Sequence, residues 1–437
     1  MIRITDLREM NITPETAPGF VPRVVIEGED LVAIVSELMA EVTSEGVAAL
    51  ESQAQRFDHV SGHSLVVTQD YLTKSLRDLD DDLRRAMEES IRRVRVASED
   101  SVPQPSETDF QSGGSVRTRW VPVQRAGVYV PGGKAVYPSS VIMNVVAAQA
   151  AGVREIVMVT PAQADCGGEI HPTIAAAAAL LGVTEVYAMG GAGAIAALAH
   201  GVPEIGLRPV SVITGPGNRY VATAKRLVHG VVGIDSEAGP TEIGIIADET
   251  AHPEFIAADL ISQAEHDELA SAILITTSIE LAERVEKALS RRAESTRHAV
   301  RVRAALKGEQ SAIFVVDSMD HAVMMSNALA PEHLEVMVEN PAIILESLTD
   351  AGAIFVGDYT PVSAGDYLAG SNHVLPTGGA GRFSSGLSPA TFLRSQQIID
   401  YDKAALGHIA DRIVTFAEAE NLPAHGEAVT ARFEEGL

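Results

Sequence analysis

Apolar positions along this chain follow two periods, and the change between them outlines its organisation. Leu31, Ile34, Val35, Leu38 and Met39 recur at spacings of three and four, which predicts one buried face of a helix. Ahead of them, residues 1 to about 25 carry Pro14, Pro18 and Pro22 with little periodicity and read as an arm, loose or docked on a partner. Leu65–Val67 is a short strand candidate, and a long charged amphipathic helix is expected from about Asp70 to Arg95. The Ser-, Pro-, Gln- and Gly-rich stretch 98–115 reads as a linker or surface loop.

From Val116 short apolar runs alternate with helical ones. Strands are expected at 127–130, 155–159, 185–189 and 210–214, with helices at 139–151, 173–182 and 219–228. A second series has strands at 242–247, 272–276, 312–316 and 353–356, with helices at about 253–270, 280–289 and 319–329. Apolar strands separated by helices predict parallel α/β sheets covered on both faces. Residues 357–387 form a long Gly-, Ser- and Pro-rich loop, and about 390–437 read as a helical, acidic tail that packs on another subunit.

Composition narrows the function classes. The formal net charge of −26 would repel phosphate backbones and anionic lipids, so nucleic acid and membrane surfaces are poor partners. The longest apolar run, Ile174–Val183, is too short to span a bilayer, and the start of the chain lacks a signal-peptide pattern. A soluble cytoplasmic protein is expected. Cys166 is the one cysteine, so no internal disulfide forms.

Several groups carry candidate chemistry. Glu332-His333 sets a carboxylate beside an imidazole, suited to proton transfer near neutral pH; a helix C-terminus with a dipole-complementing His is the plain alternative. Gln263 and His266 share a helix face at i and i+3, as two ligands of one metal or as a solvated face. Asp366 and His373 in the long loop and His425 near the end supply ligand types that suit zinc, or are surface residues. Gly191-Ala192-Gly193-Ala194-Ile195-Ala196 fits a dinucleotide-binding turn, without the acidic residue expected about 20 positions on. With Pro131–Lys134 and Gly215–Asn218 it makes three glycine-bearing turns after strands, either a nucleotide crevice or ordinary tight turns.

Taken in order, Gly127–Gly133, Thr214–Asn218, Glu237–Glu242, Gln263–Glu268, Glu332–Glu335, Gly370–Thr377 and Ala424-His425 resemble the L-histidinol dehydrogenase family, from about residue 20 to the C-terminus. The resemblance implies zinc-dependent, NAD-linked, four-electron oxidation of L-histidinol to L-histidine through L-histidinaldehyde, the last step of histidine biosynthesis. It implies Gln263, His266, Asp366 and His425 as zinc ligands and Glu332 and His333 as proton-transfer residues. Thr241, His373 and Glu420 would join them around the substrate, and Tyr129, Gly193 and Asn218 stand at NAD-contact positions. A homodimer is implied, its C-terminal tail donated across the dimer so that distant ligands meet.

The implied fold is two Rossmann-like parallel-sheet domains with an N-terminal arm and a helical dimerisation tail. Residues 1–25 form the arm, 26–125 with 240–385 the catalytic domain, 126–239 the NAD domain and 386–437 the tail. One departure stands out: Gly193 occupies a position where the family pattern has Gln, so one NAD contact is lost or replaced. Thr241 for the more familiar Ser keeps the hydroxyl. The expected chemistry has His333 take the alcohol proton and Glu332 activate water on the aldehyde. Cys166, on a loop without a His/Asn pattern, is a poor thiol nucleophile. A paralogous zinc/NAD dehydrogenase of another polyol, such as a sulfonated diol, is the alternative.

Overall fold

The computed structural model describes residues 2–23, 29–132 and 135–434, so Gly133 and Lys134 of the first glycine turn lie outside the described residues. The chain forms two compact units. The first joins Met1–Ser101 to Gln124–Phe392, and the second joins Val102–Val123 to Leu393–Leu437.

The first unit holds two parallel sheets, as the alternating apolar runs predict. One has six strands in the order Arg3–Asp6, Ala312–Val315, Ser271–Thr276, Glu242–Ala247, His333–Met337, Ala353–Val356. The other has five, in the order Glu185–Ala188, Glu155–Thr160, Arg125–Tyr129, Val212–Thr214, Gly233–Ile234. Central strands such as Glu242–Ala247 and Ser271–Thr276 are buried at every position, because helices cover both faces.

Several boundaries differ from the sequence reading. The arm supplies an edge strand: Arg3–Asp6 pairs in parallel with Ala312–Val315, and Ile2, Leu7, Ile12 and Val21 are buried beside it. A four-residue strand is too short to show a period. The expected helix 70–95 is two, Gln69–Arg77 and Asp81–Asp100, because Asp80 accepts from the backbone N–H groups of Asp82 and Leu83 and starts a new helix. Leu65–Val67 contributes a single bridge, Val66 to Tyr187. Leu31, Val35, Leu38 and Met39 of the helix Glu29–Glu45 are buried with Ile195, Leu198 and Val221, which cover the five-stranded sheet. This helix therefore packs with 126–239, whereas the division implied by the resemblance groups it with 240–385. Each such aliphatic side chain contributes about 1.5–3 kcal/mol on burial, which holds the helix there.

The second unit has an antiparallel sheet in the order Leu393–Asp400, Ser115–Pro122, Ser106–Asp109, followed by the helices Lys403–Ala419 and Pro423–Thr430. The expected linker and the expected helical start of the tail are thus strands. Their register, Gln396 opposite Arg119, joins segments far apart in sequence, and their polar composition hides them from apolar patterning. Among the described residues, no helix is long and apolar enough to cross a membrane.

Candidate active site

The Glu332-His333 pair does not sit at a helix end. The preceding helix stops at Leu329, where Ala330 turns left-handed (φ 46°) and Pro331 removes the next N–H. Glu332 then enters the strand His333–Met337, between Glu242–Ala247 and Ala353–Val356. Gly352 N–H donates to the Pro331 carbonyl at 2.9 Å and Ala353 N–H to that of Glu332 at 3.0 Å. A Cβ at Gly352 would press on the Glu332 carbonyl oxygen at 2.5 Å, so glycine is required for this close approach. The pair lies at the N-terminal ends of its parallel strands.

Both side chains are buried and held from fixed directions. Glu332 Oε2 accepts from Glu242 N–H at 3.0 Å and from the Thr241 hydroxyl. With its proton spent on Glu332, Thr241 Oγ1 accepts from Gln263 Nε2. This relay turns the Gln263 amide nitrogen onto Thr241 and leaves Oε1 for another partner. Burial pushes Glu332 up to about 7, against the lowering pull of Thr241 and Glu242 N–H. His333 Nδ1–H donates to the Glu242 carbonyl at 3.1 Å, so Nε2 carries the lone pair; that atom is buried without a hydrogen-bond partner among the described residues. Burial lowers the His333 pKa, which keeps the ring neutral and able to take a proton.

The other expected zinc- and substrate-site residues of the first unit gather around this pair. The helix Pro253–Ala264 ends earlier than 270, so Gln263 lies in its last turn and His266 in the turn beyond, with His266 N–H donating to the Gln263 carbonyl at 3.2 Å. Gln263 is buried, whereas His266 is exposed; the protein packed around its ring, then the His333 imidazole, lowers its pKa. Asp366 belongs to a short helix, Val362–Tyr367, inside the expected loop. Burial pushes it up to about 6, with the Glu332 charge adding and His333 opposing. His373 Nδ1–H donates to the Asp366 carbonyl at 3.1 Å and its Nε2 accepts from the Ser140 hydroxyl at 3.3 Å. Burial, with His333 and His266 as neighbours, lowers His373 to about 4. Asn372 Nδ2 donates to the Met143 carbonyl at 2.9 Å, which ties this loop to the helix Pro138–Ala150 of the other sheet.

Glu420 and His425 belong to the second unit. They lie exposed, at the end of Lys403–Ala419 and in Pro423–Thr430. Among the described residues, no three His, Cys, Asp or Glu side chains stand together as a metal cage. The donor set nevertheless suits a cation. Glu242, Glu332 and Asp366 are all held above ordinary carboxylate values while three neighbouring imidazoles are held neutral. Loss of water around these carboxylates raises them, against Arg23 at Glu242, and a divalent ion would draw them back down.

A cavity of about 460 Å³, within the range of cofactor sites, opens at the C-terminal ends of the five-stranded sheet. Tyr129, Gly191 and Asn218 line it, as do Gln53, Asp58 and Tyr220. Gly191 N–H donates to the Tyr129 hydroxyl oxygen at 3.3 Å, and burial pushes that phenol up to about 12. Asn218 Oδ1 caps the helix Arg219–Val228, accepting from Tyr220 and Val221 N–H at 3.0 and 3.2 Å. The loop before it is clamped: Lys225 Nζ donates to the Gly215 carbonyl at 3.0 Å, Gly215 N–H donates to Asp235 Oδ2 at 2.7 Å, and Lys225 and Asp235 pair, both buried. Sequence reasoning missed Ser140, Gln53 and Asp58; no local signal marks them, since each acquires its role from residues distant in sequence.

The family model of histidinol dehydrogenase matches residues 22–433. The histidinol dehydrogenase of Leifsonia xyli subsp. xyli is 55% identical over 430 residues, 98% of this chain and 99% of that protein. That of Thermobifida fusca is 52% identical over 427 residues, covering 98% and 96%. The crystal structure of histidinol dehydrogenase from Elizabethkingia anophelis superposes with a TM-score of 0.92 at 32% identity, covering 99% of this chain and 98% of that one.

Proposed function

The chain belongs to the histidinol dehydrogenase family, and we propose that it oxidises L-histidinol to L-histidine in two NAD-linked steps at a zinc site completed by a second copy of the chain. The observation that carries this reading is the buried relay Gln263–Thr241–Glu332 beside a neutral His333 with a free Nε2. It sets a carboxylate near neutral pKa next to an imidazole base, two proton acceptors for two oxidations.

Gln263 through Oε1, His266 and Asp366 are the ligands this protomer offers, and His425 is the one its partner offers. A zinc ion held there would supply positive charge to orient the imidazole and amine of histidinol and to favour loss of the alcohol proton. NAD, bound in the cavity lined by Tyr129, Gly191 and Asn218, supplies the hydride acceptor. His333 Nε2 takes the hydroxyl proton as the C–H hydride leaves, giving the aldehyde. Glu332, ionised, takes a proton from water as that water adds to the aldehyde. His333, having released its first proton to solvent, takes another when the hydrate loses its hydride to the second NAD, leaving the carboxylate. His373, anchored by Ser140 and the Asp366 carbonyl, holds one wall of the substrate site, and Glu420 of the second copy meets the substrate from the other side.

Homodimerisation is supported by apolar side chains that the second unit leaves open: Ile399 is 68% exposed, Phe416 70% and Leu422 43%. The acidic charge fits a small-molecule enzyme in solution, and a cytoplasmic setting follows from the biosynthetic reaction. The test is NADH formation by zinc-loaded protein supplied with NAD and either L-histidinol or a sulfonated diol. Formation with histidinol alone supports the reading. Formation with the diol alone, or no NADH with either, overturns it.

A further inference from the structure

Gln53 closes the helix Val47–Gln53 and is 7% exposed, yet it forms part of the cavity wall with Tyr129 and Asn218. Its Nε2 donates to the Leu38 carbonyl at 2.8 Å and to Glu41 Oε2 at 3.0 Å, so both amide hydrogens are spent. The oxygen is turned the other way, onto the first turns of the helix Gly191–His200. There it enters the notch left by Gly193: a Cβ at that position would overlap Gln53 Oε1 and crowd Leu50 Cδ2 at 3.3 Å. Glycine at 193 and glutamine at 53 are therefore one fitted pair, with the carboxamide of one helix filling the side-chain space of another. A polar side chain buried this far, with its donors fixed by its own helix pair, keeps Oε1 as its one acceptor, lodged against the helix Gly191–His200 in a residue that lines the cavity.

We infer that Gln53 is a nucleotide-binding residue of this chain: its Oε1 accepts a hydrogen bond from a hydroxyl or amino group of the dinucleotide, and Gly193 is glycine to admit it. This rests on the reading of the cavity as the NAD site.

The experiment is calorimetric titration of NAD into the zinc-loaded protein, with melting temperature recorded for each variant. Gln53→Met keeps volume and removes the acceptor, and weakens NAD binding about tenfold, the loss of one hydrogen bond. Gly193→Ala leaves the bonds from Gln53 Nε2 to Leu38 and Glu41 available but displaces Oε1, and weakens binding to a similar degree. The double variant Gln53→Ala with Gly193→Gln restores a carboxamide from the other helix and binds more tightly than Gln53→Ala alone. Rescue of binding, which a merely structural role would not produce, supports the assignment. NAD affinity unchanged in both Gln53→Met and Gly193→Ala overturns it while leaving the NAD site standing. A double variant no tighter than Gln53→Ala also overturns it. Absence of NAD binding in the parent protein overturns both readings.

Discussion

Replacing Thr241 by Val keeps the shape of the side chain and removes the hydroxyl that donates to Glu332 Oε2 and accepts from Gln263 Nε2. Glu332 stands at about 7 because burial raises it while Thr241 and Glu242 N–H pull it down. A hydrogen bond to a charged group is worth about 1.5–3 kcal/mol, and 1.36 kcal/mol corresponds to one pH unit. Losing the Thr241 donor therefore moves Glu332 upward by about one to two pH units, with the Glu242 N–H still in place. A base must be ionised to act, so the acid limb of aldehyde oxidation shifts to higher pH by the same amount. At neutral pH the ionised fraction, and with it the rate, falls about five- to fiftyfold. The assay is the pH dependence of NADH formation from L-histidinaldehyde, with Thr241→Ser as the control that keeps the donor and the parental profile. An acid limb in Thr241→Val that coincides with the parent's, in a protein that melts normally, refutes the argument that this hydroxyl tunes Glu332.

Three further outcomes follow from other contacts. Lys225→Met leaves Asp235 buried without its cation and frees Gly215 from its clamp, at a cost of about 3–5 kcal/mol in urea unfolding; a cost below about 1 kcal/mol contradicts the clamp. Glu335, whose Oε1 accepts from Val362 N–H at 3.0 Å, is pushed up to about 9 by burial and by the neighbouring Asp259 carboxylate. Its folded pKa lies above the ordinary 4.5, so its contribution is complete below about 4.5 and declines as pH rises toward about 9; Glu335→Gln should flatten that part of the stability profile, and an unchanged slope rejects the assignment. Finally, His425→Ala and Glu332→Gln chains, each inactive in full turnover, should recover activity when refolded together, because a mixed dimer keeps one intact shared site. No recovery, with mixed dimers demonstrated, contradicts a site built across two copies.

Much of this fold is legible along the chain for one physical reason. Strands such as Glu155–Thr160, Glu242–Ala247 and Ala312–Val315 are largely buried on both faces, so each reads as an apolar run between helices. Strands without that burial stayed hidden: Ser106–Asp109 is exposed throughout, and Leu393–Asp400 exposes most of its residues while pairing with Ser115–Pro122. The break at Asp80 had a visible cause, a run of aspartates able to cap a helix, but continuous amphipathicity on either side masked it. At the site, Glu332 and His333 were legible as neighbours, yet their setting was not. Their positions depend on Gly352, which admits the Glu332 carbonyl, and on Glu242, whose N–H and carbonyl hold one residue each. The convergence of Gln263, His266 and Asp366 came from family resemblance, because no spacing along the chain encodes contacts between a helix end, its following turn and a distant short helix. Gln53 escaped altogether, because nothing along the chain marks it as the side chain that fills the notch at Gly193.

The division of labour between Glu332 and His333 is tested most directly by counting NADH per L-histidinol consumed, for the parent and for Glu332→Gln, with an aldehyde trap present in the second case. The parent should form two NADH per histidinol. Glu332→Gln, with His333 intact but water unactivated, should form one and leave the aldehyde in the trap. Two NADH per histidinol from Glu332→Gln at the parental rate, or loss of the first oxidation as complete as that of the second, would contradict the account.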